Sequence, residues 1–306
     1  MDVSIIIVNY KTADLITECI TSIKKHTKGV SYEIIVVDNN SMDGGVERIG
    51  LAFPSSAITF VELGENKGFG MANNEGFKVS KGRNILCLNP DTLLMNDAIS
   101  ELSEFLDSNK NVGACGGNLY DGAEKPTHSF SMVLPSIEWE LDMLFFAKLE
   151  KTLHKGNASF NHTGRPMPVG YITGADLMVR RDVFEKAGGF SPKFFMYYED
   201  TDLCYRIGRL GYKLMSVPSA KIMHLEGQSF GKGKVSVNER RIRMSEKGRL
   251  VYYRKNKGRG ETAAANAIYL AALLINELVF RCLKHEAWKV YRCKRKIFTE
   301  IRNQRF

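Results

Sequence analysis

Val3-Ser-Ile-Ile-Ile-Val-Asn-Tyr10 and, a helix's length further on, Glu33-Ile-Ile-Val-Val-Asp38 decide the architecture of this chain. Both are β-branched runs that are apolar on successive residues, the pattern of a strand covered on both faces. Between them Leu15, Ile16, Cys19, Ile20 and Ile23 recur at helical spacing. That order is β-α-β. Working outward, residues 58–63 predict a third strand, 70–79 a helix and 84–88 a fourth strand, while Asn39-Asn-Ser-Met-Asp-Gly44 reads as a turn-rich loop. The fold class is α/β, with a mostly parallel central sheet flanked by helices, and polar residues gather just past the strands, where such sheets bind ligands.

The chain has 306 residues, 44% of them hydrophobic, enough for one large core or two modest ones. Its six cysteines are scattered without a CxxC pair, which favours reduced thiols and a cytoplasmic setting. The first residues lack a basic region and a small-residue cleavage site, so no export signal is expected. Charge is uneven. Residues 221–306 hold 21 Lys and Arg against 7 acids, a balance of +14, whereas the first 220 carry 22 against 27, or −5. A basic tail suits an anionic membrane surface or nucleic acid, but no aromatic base-stacking platform accompanies it, so nucleic acid is not expected.

Neither GxGxxG nor a Walker loop is present. Asp38, at a strand end, is placed to accept the imide N–H of uracil or thymine, with Asn66 and Lys67 reaching the nucleotide; alternatively these are turn formers of an Asx-type loop. Asn89-Pro-Asp91 ends an apolar strand, and Asp91 either presents a carboxylate to Mg²⁺ or Mn²⁺ or caps the helix expected near Asn96. In residues 135–149, Trp139, Met143, Leu144, Phe145 and Phe146 line an acceptor groove or simply pack. Residues 171–179 predict a strand or strand pair, in which Thr173, Gly174 and Asp176 contact a sugar or Gly174 marks a bulge.

Residues 181–187 predict a short helix, and Gly188-Gly-Phe190 a turn. Phe194-Phe-Met-Tyr-Tyr-Glu-Asp-Thr-Asp202 opens a further helix whose apolar stripe is Leu203, Tyr205, Ile207 and Leu210, before Gly211 stops it. Acids in a first turn are favoured by the helix dipole. Aromatic burial would also raise the proton affinity of Asp200 toward that of a general base, with Glu199 orienting the acceptor. His224, in Lys221-Ile-Met-His-Leu225, is either a structural histidine or an imidazole ligand beside Asp91.

In this order the segments resemble the family 2 glycosyltransferases of GT-A fold, and most closely the bacterial rhamnosyltransferase-like branch that builds surface polysaccharides. The likeness spans residues 3–229. It rests on Ser4-Ile-Ile-Ile-Val-Asn-Tyr10, Val37-Asp-Asn-Asn-Ser41, Asn66-Lys-Gly-Phe69, Leu88-Asn-Pro-Asp91, Gly188-Gly-Phe190, Phe195-Met-Tyr-Tyr-Glu-Asp-Thr-Asp-Leu-Cys204 and His224. It implies Asn9, Tyr10, Asp38, Asn66, Lys67, Asn89, Asp91 and Gly174 on the donor nucleotide or sugar, Asp91 in the DxD position with Asn89 replacing the first acid, Asp200 as base, and His224 on the metal or diphosphate. An inverting displacement with Mg²⁺ or Mn²⁺ as cofactor is implied. Rhamnose from dTDP-rhamnose leads, with galactosyl, galactofuranosyl, glucosyl and N-acetylglucosaminyl transfer from UDP donors behind it, onto a polyprenyl-diphosphate-linked or polysaccharide acceptor. A nucleotidyltransferase, which releases pyrophosphate, and a non-catalytic sugar or nucleic-acid binding module are the rival classes.

The expected organisation is a catalytic domain over residues 1–230, divided at 118 into nucleotide-binding and acceptor halves, followed by a basic helical extension over 231–306. Residues 263–283 are apolar but carry Asn266, Asn276, Glu277 and Arg281, too short and polar a segment to span a bilayer. Flanked by Arg249, Arg254, Lys255, Lys257 and Arg259 and by residues 284–305, it reads as an interfacial helix on the cytoplasmic face of the inner membrane. A hairpin packed on the catalytic domain or forming a homodimer is the alternative.

Overall fold

A computed structural model describes residues 1–54, 58–144, 152–154, 156–225 and 237–304. In chain order the elements are β1 (Val3–Asn9), α1 (Ala13–His26), β2 (Tyr32–Asp38), α2 (Gly45–Ala52), β3 (Ile58–Glu62), α3 (Phe69–Val79), β4 (Asn84–Leu88), β5 (Thr92–Leu94), α4 (Ala98–Ser108), β6 (Val112–Tyr120), β7 (Phe130–Ser131) and α5 (Ile137–Leu144). There follow β8 (Met167–Pro168), β9 (Tyr171–Ile172), β10 (Asp176–Arg180), α6 (Arg181–Ala187), α7 (Glu199–Arg209), β11 (Lys213–His224), α8 (Glu239–Asn256), α9 (Arg259–Cys282) and α10 (Ala287–Ile301).

The main sheet runs β3-β2-β1-β4-β10-β6-β11-β5, with β8 paired to β11. Its first four strands are parallel, as their continuous apolar runs require. Past them the sheet is mixed, because β10 enters antiparallel between β4 and β6. Alternate residues feed two layers: Ile5, Ile7, Ile34, Val36, Leu86 and Leu88 pack on the side of α1 and α4, while Ile6, Val8, Ile35, Val37, Ile85 and Cys87 pack on the side of α6 and α7. Each such burial stabilises by roughly 1.5–3 kcal/mol, so these strands fix the scaffold that holds the loops.

Three local features depart from the sequence reading. Helix α2 follows the loop read at residues 39–44, in a stretch to which the sequence assigned no element: Gly44 caps it at φ +67°, and only Gly45 and Ile49 are buried, too little apolar periodicity to show. Strand β11 begins eight residues before the segment recognised around His224, because a register irregularity between Ser216 and Lys221 accommodates Pro218 inside it. The helix expected near Asn96 begins at Ala98, and its cap is Asp97, which accepts from the Ser100 amide; Asp91 is left for other work.

The C-terminal helices pack on α7 and the segment before it. Lys255 Nζ meets both carboxylate oxygens of Asp202 at 2.6 and 2.8 Å, Asn256 Nδ2 donates to Asp202 Oδ1, and the Tyr205 hydroxyl donates to the Asn256 carbonyl. Phe194, Val251, Tyr252, Tyr253 and Ala265 form one apolar cluster across the junction. The basic run expected to face lipid is therefore partly engaged within the protein: Arg249 is buried on Glu140, Lys257 pairs with Glu261, and Arg254, though exposed, donates to the Gln304 and Arg302 carbonyls. The expected boundary at 230/231, Phe145, Phe146, Leu149 and Arg305 lie outside the described residues. All six cysteines are free thiols, four of them buried.

Candidate active site

Past the carboxyl ends of β1, β2 and β4 a cavity of about 700 Å³ opens, closed on the far side by the segment before α7 and by the first turns of α8. Tyr10, Asn39, Asn66, Asn89, Asp91, Gly174, Glu199, Asp200 and His224 line it. Register explains the first pairing: β11 lies antiparallel to β5 with His224 opposite Thr92, and the Leu225 amide donates to the Asp91 carbonyl. His224 Nε2 thereby sits 3.4 Å from Asp91 Oδ1 and 3.3 Å from Asn89 Nδ2. One carboxylate and one imidazole converge on the cavity floor. Among the described residues no group of three or more His, Cys, Asp or Glu side chains forms a fuller metal cage.

The opposite wall is built from strained backbone. Tyr197 and Tyr198 both take φ +70° immediately before α7, a conformation costly for aromatic residues and retained only where surroundings over-determine it. Two glycines supply that determination. A Cβ on Gly68 would lie 2.0 Å from the Phe195 carbonyl oxygen, and one on Gly248 would lie 2.5 Å from that of Tyr197, so the segment is clamped between α3 and α8. The Phe69 amide donates to the Phe195 carbonyl at 3.1 Å, sealing the first contact.

This clamp delivers Glu199 and Asp200 side by side in different surroundings. Asp200 Oδ1 accepts from the Thr201 amide at 2.6 Å and the Thr201 hydroxyl at 3.1 Å, and Oδ2 accepts from the Gly174 amide at 2.9 Å. Burial raises its proton affinity; those hydrogen bonds and the nearby His128 oppose the rise. Glu199 is 6% exposed and its Oε2 has no hydrogen-bond partner. Burial, and then the charge on Asp200, push its pKa to about 8. At neutral pH Glu199 therefore keeps its proton, while the hydrogen bonds at Asp200 favour the ionised form of its carboxyl against the effect of burial.

The sign follows for stability. A carboxyl whose folded pKa is raised stabilises the fold below its unfolded value near 4.5 and loses that contribution as pH climbs through about 8. Glu199→Gln is therefore expected to match the parent near pH 4.5 and to exceed it by a few kcal/mol, as an order of magnitude, above pH 8. Urea denaturation across that range checks this, and a constant difference at every pH would contradict it.

Several residues expected on the donor are placed one layer back. Asn9 is fully buried: its Nδ2 donates to Asp38 Oδ1 at 2.7 Å and its Oδ1 accepts from Thr12, so it orients Asp38 and is not part of the cavity wall. Asp38 Oδ2 accepts from the Ser41 amide, the Asx-type bond of the alternative reading. Lys67 turns its ammonium to Glu75 at 3.1 Å, also away from the cavity lining. Asn39 takes the cavity position instead, donating to Asn66 Oδ1 and accepting from the Lys67 amide. Asp176, once expected near a sugar, is wholly buried with its pKa pushed up to about 7 by burial, and Oδ2 accepts from the Gly117 amide. Thr173 lines the cavity, as does Trp139. His128, Tyr171, Arg240, Arg241, Met244 and Ser245 also line it, and no local sequence pattern announced them.

The model of Glycosyl transferase family 2 matches residues 4–188, more than half of the chain, including the β-α-β unit and the Asn89-Pro-Asp91 turn. The chain belongs to that family. As a family 2 glycosyltransferase it is similar to the N-acetylglucosaminyl-diphospho-decaprenol L-rhamnosyltransferase of Mycobacterium tuberculosis, with 27% identity over 66% of this chain and 69% of the relative. It is also similar to the rhamnosyltransferase WbbL of Escherichia coli, with 25% identity over 72% of this chain and 83% of the relative. Among solved structures, a mannosyltransferase from Pyrobaculum calidifontis in complex with GDP-Man and Mn²⁺ superposes with a TM-score of 0.62 at 17% identity, over 97% of this chain and 84% of the other. GalNAc-T7 with UDP, GalNAc and Mn²⁺ superposes with a TM-score of 0.55 at 15% identity, over 83% and 51%. The glycosyltransferase has the GT-A fold, and its cavity is the candidate active site.

Proposed function

We propose that this glycosyltransferase moves a sugar, with rhamnose from dTDP-rhamnose the leading donor, to a hydroxyl of a polyprenyl-diphosphate-linked saccharide, inverting the anomeric centre. The observation that carries the reading is that Asp91 with His224, and Asp200, line a single cavity from different walls. Asp200 takes the proton of the acceptor hydroxyl as its oxygen bonds to the anomeric carbon, and the carbon–oxygen bond to the diphosphate breaks, releasing nucleoside diphosphate. The Gly174 and Thr201 amides hold the carboxylate in position for this step. Asp91 and His224 fit a Mg²⁺ or Mn²⁺ site completed by substrate phosphates, and the cation when bound neutralises charge on the leaving group. Arg240 and Arg241 add positive charge at the same mouth.

The two rhamnosyltransferase relatives, one of them named for a diphospho-decaprenol saccharide, support this donor and acceptor pair over the UDP-sugar alternatives. The test is nucleoside diphosphate release from a nucleotide-sugar panel with Mg²⁺ or Mn²⁺. Release from dTDP-rhamnose supports the reading. Pyrophosphate release would point to nucleotidyl transfer, and no turnover of any donor, with salt-sensitive nucleic-acid binding, would point to a binding module.

A peripheral place on the cytoplasmic membrane face belongs to the same proposal. Helix α9 has 24 residues and is long and apolar enough to cross a membrane by length and composition, contrary to the expectation from sequence. Three of its polar residues are engaged within the protein: Asn266 meets Arg249, Asn276 donates to the Met143 carbonyl, and Glu277 pairs with Arg295. Outward it presents Leu274, Ile275 and Leu278, and Leu283 follows just past its end. These, beside exposed Arg281 and Lys284, suit an anionic interface. Leu274→Glu with Leu278→Glu is expected to lower co-sedimentation with phosphatidylglycerol vesicles by about tenfold or more. Unchanged sedimentation, or conversion of a dimer to a monomer, would assign the face to a homodimer.

A further inference from the structure

The face that α8 turns to the active-site cavity is set by one close contact. Gly248 lies against the Tyr197 carbonyl, where a Cβ would come within 2.5 Å of the oxygen, so only glycine fits at that point of the helix. Residues three, four, seven and eight positions earlier share its face, and Ser245, Met244, Arg241 and Arg240 all line the cavity. Arg241 thereby arrives beside Tyr197, its guanidinium carbon 5.8 Å from the ring centroid. Both arginines are exposed.

Their partners set them apart from the rest of the basic run. Arg243, two residues further on, is held by Glu239 and Glu300, with Nη1 2.7 Å from Glu300 Oε1. Among the described residues neither Arg240 nor Arg241 has a carboxylate at ion-pair distance. Two guanidiniums whose charge is left open at one cavity suit an anion with several oxygens, and their planar forks match phosphate.

Which phosphate they meet follows from the wall they stand on. Tyr197 leads directly into Glu199 and Asp200, so the pair is fixed to the side of the base, whereas Asp91 and His224 stand on another wall. An inverting displacement brings the nucleophile in opposite the leaving diphosphate. Cations on the wall of the base therefore face the acceptor, and the donor's diphosphate is served by Asp91, His224 and their cation. Met244 adds a flexible apolar side chain beside the two charges, which suits a phosphate that continues into hydrocarbon.

We infer that Arg240 and Arg241 hold the diphosphate of the acceptor, so that the first turn of α8 distinguishes a diphosphate-linked saccharide from a free one. The inference rests on the glycosyl-transfer reading for the direction of attack. It gives the C-terminal extension a part in choosing what receives the sugar.

The test uses full-length protein saturated with Mn²⁺ and whichever of dTDP and UDP stabilises it, so that the donor side is filled. Farnesyl diphosphate, which carries the diphosphate and a short isoprenoid but no sugar, is then titrated calorimetrically. Arg240→Gln and Arg241→Gln are each expected to weaken its binding about tenfold, and together about a hundredfold, as for hydrogen bonds to charged groups. Thermal stabilisation by the nucleotide with Mn²⁺ should be equal in parent and variants, which shows that the variants are folded. No binding of farnesyl diphosphate beside the nucleotide, or equal binding by the double variant, overturns the inference. So does a loss confined to the nucleotide, which would give the pair to the donor, or one confined to co-sedimentation with phosphatidylglycerol vesicles, which would give it to lipid headgroups. Failure of both nucleotides to stabilise the parent would strike the transferase reading and the inference with it, a result distinct from the others.

Discussion

Asp200→Asn should lower kcat by about 10²–10⁴-fold, the range associated with loss of a positioned general base. The substitution keeps side-chain volume, but the amide cannot take the acceptor proton. Its NH₂ would also face either the Thr201 amide or the Gly174 amide, both of which donate to the carboxylate in the parent. Donor affinity, read as thermal stabilisation by nucleotide sugar and Mn²⁺, should change little, because Asp91 and His224 stand on the other wall. A tenfold loss of donor binding with normal kcat would move Asp200 from catalysis to donor recognition. In the parent, the acid limb of kcat/KM should lie above the ordinary carboxylate range, as burial raises the Asp200 proton affinity; Glu199→Gln should leave that limb nearly in place, because Glu199 already carries its proton there.

Asp202→Ala is expected to cost about 3–5 kcal/mol of stability, the largest structural effect of any substitution considered. Asp202 has no exposed side-chain surface and meets Lys255, Arg206 and Asn256 at 2.6–2.9 Å. Removing it leaves two largely enclosed cations without their shared counter-charge, and it unfastens α8 from α7. The clamp of Gly248 on the Tyr197 carbonyl would loosen with it, so the left-handed Tyr197 and Tyr198 would relax and Asp200 would lose its placement. Urea denaturation gives the stability and residual transfer gives the consequence. A loss below about 1 kcal/mol would show that the extension does not hold the catalytic segment.

The scaffold was legible because β1, β2 and β4 are covered on both faces and so carry unbroken apolar runs. That Asp91 and Asp200 would lie at the cavity was legible because each follows a strong local signal, a strand ended by Pro90 and an aromatic run opening a helix. The rest of the site escaped for identifiable reasons. Asn9 and Lys67 have the right chemistry for a nucleotide, but their side chains are engaged by Asp38 and Glu75, which only register and packing reveal. Arg240 and Arg241 sit in a basic run whose composition speaks of anionic surfaces, and only the docking of α8 turns them toward the cavity. The same run contains Arg249 and Lys255, whose partners Glu140 and Asp202 lie 109 and 53 residues away, beyond any local pattern. Gly174 was read as a sugar contact or a bulge; what the structure adds is that its amide donates to Asp200.

The most direct test of the central claim is a crystal structure with dTDP-rhamnose and Mn²⁺, read by manganese anomalous scattering. The account predicts an anomalous peak beside Asp91 and His224 bridging the diphosphate, with the anomeric carbon between that peak and the Asp200 carboxylate. A nucleotide sugar bound with Asp200 on the same side of the anomeric carbon as the diphosphate, or in another part of the molecule, would contradict it.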